Sequence, residues 1–183
     1  MIFLYALGVG ILLGYAARGR LRQLTSLSFR ALWLIPLALA IQLLIFPLFS
    51  DRPIIAFATP VLHVASYAIL FLWLLLNRGI RPVWAIGIGA LLNGGVVLAN
   101  GGYMPSSLTA LGHAGLRSTA AALLAHGTYG NVVRMGTDSH WNALGDWLYF
   151  PAWIPGATAF SIGDLLIMVG LAWLVVKGMR GNG

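Results

Sequence analysis

Five long apolar runs decide what this chain can become. They cover roughly Ile2–Ala17, Ala31–Phe49, Ile54–Leu76, Val83–Ala99 and Thr158–Val176. Each comes close to the ~20 residues that carry a helix across ~30 Å of hydrocarbon. A transmembrane barrel would alternate apolar and polar residues over short segments, and these runs do not alternate. The composition agrees: 60% of residues are hydrophobic and 8% charged, where soluble domains carry about 25% charged residues. A soluble domain of 183 residues could not hide so much apolar surface. The expectation is an all-α integral membrane protein, a five-helix transmembrane bundle that forms one domain over residues 1–183.

A net charge of +7 could suit nucleic acid, but the charges follow the connections between runs. Arg18, Arg20, Arg22 and Arg30 lie between runs one and two. Arg78 and Arg81 separate runs three and four, and Lys177 and Arg180 close run five. With five spans these eight share one side, and Arg52, Arg117 and Arg134 fall on the other. That is the positive-inside pattern. It predicts an outer N-terminus, a cytoplasmic C-terminus and an outer segment over Asn100–Ala157. It also makes membrane lipid the expected partner and excludes nucleic acid. Basic residues follow the first run instead of preceding it, which predicts an uncleaved helix and no signal peptide. With no cysteine there is no disulfide, haem thiolate or cysteine metal site. No metal and no cofactor are expected.

Trp33, Trp73, Trp84 and Trp173 fall near the cytoplasmic ends of the runs. Trp141, Trp147, Tyr149, Phe150 and Trp153 cluster near the outer boundary, as interfacial aromatics do. Gly10 and Gly14 form a small-xxx-small pair suited to close helix packing. Pro36, Pro47 and Pro60 predict kinks. In the outer segment, Leu108, Leu111, Leu116, Ala120, Leu123 and Leu124 recur at mostly helical spacing, with His113, Arg117 and Ser118 on a polar side. The pattern predicts one or two short helices in the outer interface, ending near Gly127. "ANGGYMP" (Ala99–Pro105) reads as a helix end, with φ > 0 at Asn100 or Gly101, or as a ligand-binding backbone loop.

Polar groups at membrane depth are costly and mark candidate sites. His63, Ser66 and Tyr67 share one helical face, with His63 expected at about mid-depth. Asn93, Asn100, Tyr103 and His140 complete the candidate binding residues around an outward pocket. Each polar residue also has a structural reading, as a bond between helices or a helix terminus. Asp164 poses the sharpest choice. Ser161-Ile-Gly-Asp164 fits a capping box of the form S-x-x-D. Yet Asp146 stands 18 residues upstream, with Pro151, Pro155 and Gly156 between them to turn the chain back. Two carboxylates held close cannot both ionise cheaply. The ionised one can deprotonate water while the protonated one polarises a carbonyl. Asp146 and Asp164 are therefore the candidate catalytic residues of a metal-independent hydrolase.

Across nearly its whole length the chain resembles a bacterial membrane family catalogued as domain of unknown function 5317. The resemblance rests on "LLNGGVVLANGGYMP" (Leu91–Pro105), "LGDW" (Leu144–Trp147) and "FSIGDLLIMVG" (Phe160–Gly170). It implies a multi-pass protein of the bacterial cytoplasmic (inner) membrane and no particular activity. Over runs two to five the chain is also similar to lipoprotein signal peptidase (signal peptidase II). There "FSIGDLLIMVG" resembles the box that opens the last span and carries one catalytic aspartate, matching Asp164. The upstream aspartate matches Asp146 in "LGD", and the asparagine of a "GALGN" motif matches Asn93 in "GALLN". Ser161 stands where that family has asparagine, and the aspartate and arginine that follow its "GN" are absent here. The resemblance implies an outward-facing aspartyl-peptidase-like site, active or relict, acting on a membrane-anchored peptide. Two readings from other classes stand beside it: a non-catalytic subunit that holds lipid or a cofactor among other membrane subunits, and a transporter of a small solute or proton.

Overall fold

The computed structural model describes residues 2–46, 54–55 and 57–181. Five apolar helices carry it: α1 (Ile2–Ala16), α2 (Leu34–Ile45), α3 (Thr59–Leu76), α4 (Arg81–Ala99) and α7 (Ile162–Arg180). Three of them, α3, α4 and α7, are long and apolar enough to cross a membrane. The other two are shorter, with 15 residues in α1 and 12 in α2. At 1.5 Å per residue α2 spans only ~18 Å, because it begins at Leu34 and is followed from Ala31–Phe49 only as far as Ile45.

The prolines start helices instead of bending them. Pro36 is the third residue of α2 and Pro60 the second of α3. The first four N–H groups of a helix have no intrahelical partner, so a proline there removes nothing. The expected kinks at these two positions are thus corrected. Pro47, and with it Arg52, lies outside the described residues.

Glycines set the packing of the helices. A Cβ at Gly10 would lie 3.0 Å from the Ala172 backbone, and one at Gly14 would strike the Met179 side chain. The Gly10/Gly14 pair therefore does pack α1 closely onto α7. Gly89 and Gly163 bring α4 and α7 together in the same way, and Gly170 faces Ala85 and Ile86. Outside these contacts the surface is apolar: Leu12 is 71% exposed, Leu98 65% and Val61 68%. Such a surface suits hydrocarbon, not water. Trp73 differs from the other end-of-run tryptophans. It is buried, and its ring stands 5.6 Å from that of Phe29.

The helices alternate between two ends. At one end Asn77 donates to Arg30 O at 3.0 Å and accepts from Arg30 N at 2.8 Å, joining the close of α3 to the approach to α2. Arg20 N donates to Met179 O at the close of α7. At the opposite end a Schellman motif stops α4. Gly102 N bonds Val97 O at 2.8 Å and Gly101 N bonds Leu98 O at 3.3 Å, with Gly101 at φ 65° and Gly102 at φ 96°. "ANGGYMP" is thus a helix end, built on Gly101 and not on Asn100.

The segment over Asn100–Ala157 forms a cap, and it corrects the all-α expectation. Two short helices are present, α5 (Leu108–His113) and α6 (Arg117–His126), with Gly127 in the left-handed region closing α6. Between and beside them run strands of two or three residues. Strands β1 (Met104–Ser106), β2 (Thr128–Tyr129) and β3 (Val132–Arg134) form a sheet in the order β1-β3-β2. Strands β4 (Leu148–Tyr149) and β5 (Ala159–Phe160) form an antiparallel pair. Segments this short carry no readable alternation, and their pairing comes from partners distant in sequence.

Candidate functional site

The β4–β5 pair draws the segments of two distant aspartates together. Leu148 pairs with Phe160 and Tyr149 with Ala159. Asp146 precedes β4 and Asp164 follows β5, so the antiparallel pairing directs both toward the same end of the pair. Gly156, at φ 69°, helps turn the chain between the strands. The intervening residues therefore do bring the chain back.

Asp164 is held on every side. Ser161 Oγ accepts from Asp164 N at 2.9 Å, and the Asp164 carboxylate accepts from Ser161 N at 3.1 Å, so the capping box is complete. The other carboxylate oxygen accepts from Asn93 Nδ2 at 2.8 Å. Ser161 Oγ in turn donates to Asn93 Oδ1 at 2.8 Å. Asn93 and Ser161 are both buried. Three side chains from two helices thus form a closed hydrogen-bonded ring. It exists because Gly163 lets the Asn93 side chain approach: a Cβ at Gly163 would collide with Asn93 Oδ1.

Asp146 is placed by backbone. Its N–H donates to Pro105 O at 2.8 Å and its carbonyl accepts from Ser107 N at 2.9 Å, forming a parallel bridge to Ser106. Gly145 makes this possible, since a Cβ there would lie 2.6 Å from Pro105 O. The Asp146 carboxylate accepts no hydrogen bond among the described residues. Burial pushes its pKa well above the ordinary carboxylate range, and the charge of Asp164 raises it further. The fields of both carboxylates reach the Tyr67 hydroxyl on α3. Tyr67 packs against the buried cluster of Val96, Val97 and Met104 beneath the cap, as Leu144 does.

The remaining candidates are spread around this centre. His63 lies in the second turn of α3, near the end beside the cap and not mid-way along the helix, because α3 begins at Thr59. Its Nδ1 is 2.6 Å from Gly102 O, and its ring meets those of Phe46 and Tyr67. Asn100 clamps the backbone of His140, donating to its carbonyl at 2.9 Å and accepting from its N–H at 2.8 Å. Both line a shallow cavity of about 360 Å³ with Arg134, Asp138 and Ser139, whose lining includes neither Asp146 nor Asp164. Tyr103 is half-buried just past the end of α4. Asn93, Asp146, Asp164 and Tyr67 are therefore together, His63 adjoins them through Tyr67, and Asn100 and His140 stand apart. No group of three metal-ligating side chains occurs among the described residues.

Ser106 escaped the reading of the sequence. It is buried, its hydroxyl has no hydrogen-bond partner among the described residues, and it is bridged to Asp146. Paired residues of neighbouring strands project to the same face, so the Ser106 hydroxyl and the Asp146 carboxylate share a side. Nothing in "PSSL" distinguishes Ser106 from Ser107, which caps α5. A family model described as a family of unknown function (DUF5317) matches residues 26–176. The chain belongs to that family. No curated protein and no solved structure matches it. The matched part of this DUF5317 member contains every candidate site residue and leaves α1 outside.

Proposed function

We propose that this protein is a multi-pass protein of the bacterial cytoplasmic membrane. All five apolar helices cross, the cap lies outside, and Asp146 and Asp164 form an aspartyl-peptidase-like site, active or relict. The observation that carries this reading is the antiparallel β4–β5 pair, which turns the chain back between Asp146 and Asp164 and so supports pairing them. The two carboxylates also differ in the way such a pair requires. The two hydrogen bonds donated to Asp164 suit the charged form. Asp146, half-buried and without donors among the described residues, suits the protonated form. Asp164 would take a proton from water as the water oxygen bonds to an amide carbon. Asp146 would give its proton to the carbonyl oxygen. Collapse of that adduct would break the C–N bond, with Asp164 passing its proton to the leaving amine and a hydroxyl of the adduct returning one to Asp146. The substrate class is a membrane-anchored peptide presented at the outer surface, with Asn93 fixing Asp164 and Tyr67 flooring the site.

The completed capping box favours a second reading. Asp164 has a full structural role without Asp146, as it would in a non-catalytic subunit. Asp146→Asn and Asp164→Asn separate the two. Each should abolish cleavage of a membrane-anchored reporter peptide, or the phenotype of a deletion strain, while folded protein stays abundant. If Asp146→Asn retains full function and only Asp164→Asn loses it, together with folded yield, the dyad is wrong. Orientation is tested by reporters: one after Gly183 should be cytoplasmic, and one within residues 127–136 outside.

A further inference from the structure

The end of the bundle remote from the aspartates has a cavity of its own. About 660 Å³ in volume, it lies between the approach to α2, the close of α3 and the start of α4. Arg30 and Arg78 line it, together with the apolar side chains of Phe29, Leu75, Leu76 and Ile80. The two arginines reach it from separate segments, which Asn77 locks together by its paired bonds to the Arg30 backbone. Asn77 is buried and also donates to Trp73 O at 2.8 Å, so the cavity has a fixed frame.

No acidic side chain lines the cavity, and none lies at this end among the described residues. Residues 17–33, 77–80 and 177–181, which make up this end, contain no acidic residue. The cap of α4, Ile80, offers no side-chain acceptor, so the positive end of a 19-residue helix adds to the same field. A cation-lined cavity with one apolar wall, opening between helices whose outer surfaces suit hydrocarbon, matches an amphiphile with an anionic head. Arginine forks hold phosphate oxygens in a planar, bidentate geometry that a lysine point charge does not provide.

We propose that this cavity is a headgroup site for an anionic glycerophospholipid of the adjoining leaflet, with Arg30 and Arg78 on the phosphate and the acyl chains leaving past Phe29, Leu75 and Leu76. The site is independent of the aspartate pair and of any activity there. It gives the basic end a specific ligand as well as a general attraction to anionic membrane.

The test uses the full chain in detergent, titrated with phosphatidylglycerol and followed by native mass spectrometry. Phosphatidylcholine and inorganic phosphate are the comparison ligands. Arg30→Gln with Arg78→Gln should weaken phosphatidylglycerol binding at least ~10-fold, since each basic residue near such a headgroup contributes about 1 kcal/mol. Arg20→Gln with Arg22→Gln removes the same charge from the same end and should leave binding unchanged. The doubly lysine-substituted cavity, Arg30→Lys with Arg78→Lys, should bind at an intermediate level and controls for folding. Equal weakening by the Arg20/Arg22 pair would reduce the site to diffuse charge and overturn it. Equal binding of phosphatidylcholine would show that head charge is not read, and full competition by inorganic phosphate would make it a free-anion site. Either result overturns the lipid assignment.

Discussion

The first turn of α7 and the strand edge at Asp146 lie side by side, yet they treat a carboxylate in opposite ways. At Asp164 each carboxylate oxygen already accepts one hydrogen bond, from the Ser161 N–H and from the Asn93 amide, with a further lone pair left on each, and the Ser161 hydroxyl caps the helix N–H. At Asp146 the backbone is fully bonded and the carboxylate is not. One region invests its polar groups in holding the fold, and the other leaves an acid and a neighbouring hydroxyl without partners. Unpaired buried polar groups cost stability and are seldom kept without a use. The contrast therefore points to Asp146 and Ser106 as the side where a ligand would complete the bonding, with Asp164 as the fixed side.

The largest effect that could break this contrast is on stability. Asp164→Ala removes the cap acceptor and orphans the buried Asn93 amide. A lost cap costs about 0.5–2 kcal/mol, and a buried unsatisfied group about 1–3 kcal/mol. The combined loss should be roughly 2–4 kcal/mol, read as a lower midpoint of thermal unfolding in detergent. Asp146→Ala should lose none. If both variants fall equally, Asp146 has structural bonds that the contrast denies it.

Next in size is Gly163→Ala. Its methyl would enter the space that the Asn93 side chain and the Gly89 carbonyl occupy. Overpacking of this kind costs about 1–3 kcal/mol. The change leaves all of the ring's polar atoms in place, so it tests whether close approach of α4 and α7 is what holds the ring. A Gly163→Ala protein with unchanged stability would show that the helices have room to part.

These two regions were also unequally legible in the sequence. Ser161 and Asp164 announce a capping box by their spacing alone, and α7 starts and ends where its capping residue and basic last turn say it should. The end of α4 was readable from its paired glycines, and the closure of α6 from Gly127. Those are local signals, each contained within a few residues. The edge at Asp146 is not local. Its bridge to Ser106, its hairpin partner Phe160 and the Gly145–Pro105 approach join segments tens of residues apart through strands too short to show a period. The prolines misled for the same reason in reverse. A proline in an apolar run reads as a kink until the start of the helix is known, and in α2 and α3 the start falls beside it.

A smaller effect follows from pH. The pKa of Asp146 is raised in the folded protein, by burial first and by Asp164 second. Its contribution to stability is therefore fully present below the unfolded value of about 3.9. That contribution is lost as pH rises through the raised folded value. Unfolding midpoints of the wild type should fall as pH climbs across the range above ordinary carboxylates, and Asp146→Asn should remove that fall. At neutral pH the variant should equal or exceed the wild type in stability. A wild type that grows more stable over that range, with Asp146→Asn abolishing the gain, would mean that the ionised carboxylate has found donors.

The smallest effect concerns the hydroxyl beside it. Ser106 Oγ is buried and has no partner among the described residues, so its desolvation is uncompensated there. Replacing a buried group that makes no bond with a methyl of nearly the same shape is close to neutral or stabilising, by less than about 1 kcal/mol. Ser106→Ala should therefore leave the unfolding midpoint unchanged or slightly raised. Ser107→Ala, one residue on, removes the side chain that accepts from Ala110 N at the start of α5 and should lower it by about 0.5–2 kcal/mol. The neighbouring serines thus provide a matched pair, identical in chemistry and opposite in bonding. If Ser106→Ala proves the costlier of the two, its hydroxyl has a partner in the folded protein, and the open side of the site is closed by the protein itself. If it is neutral for stability but lowers function to the same degree as Asp146→Asn, the hydroxyl and the acid act on one ligand, and the unbonded edge is the working face of the site.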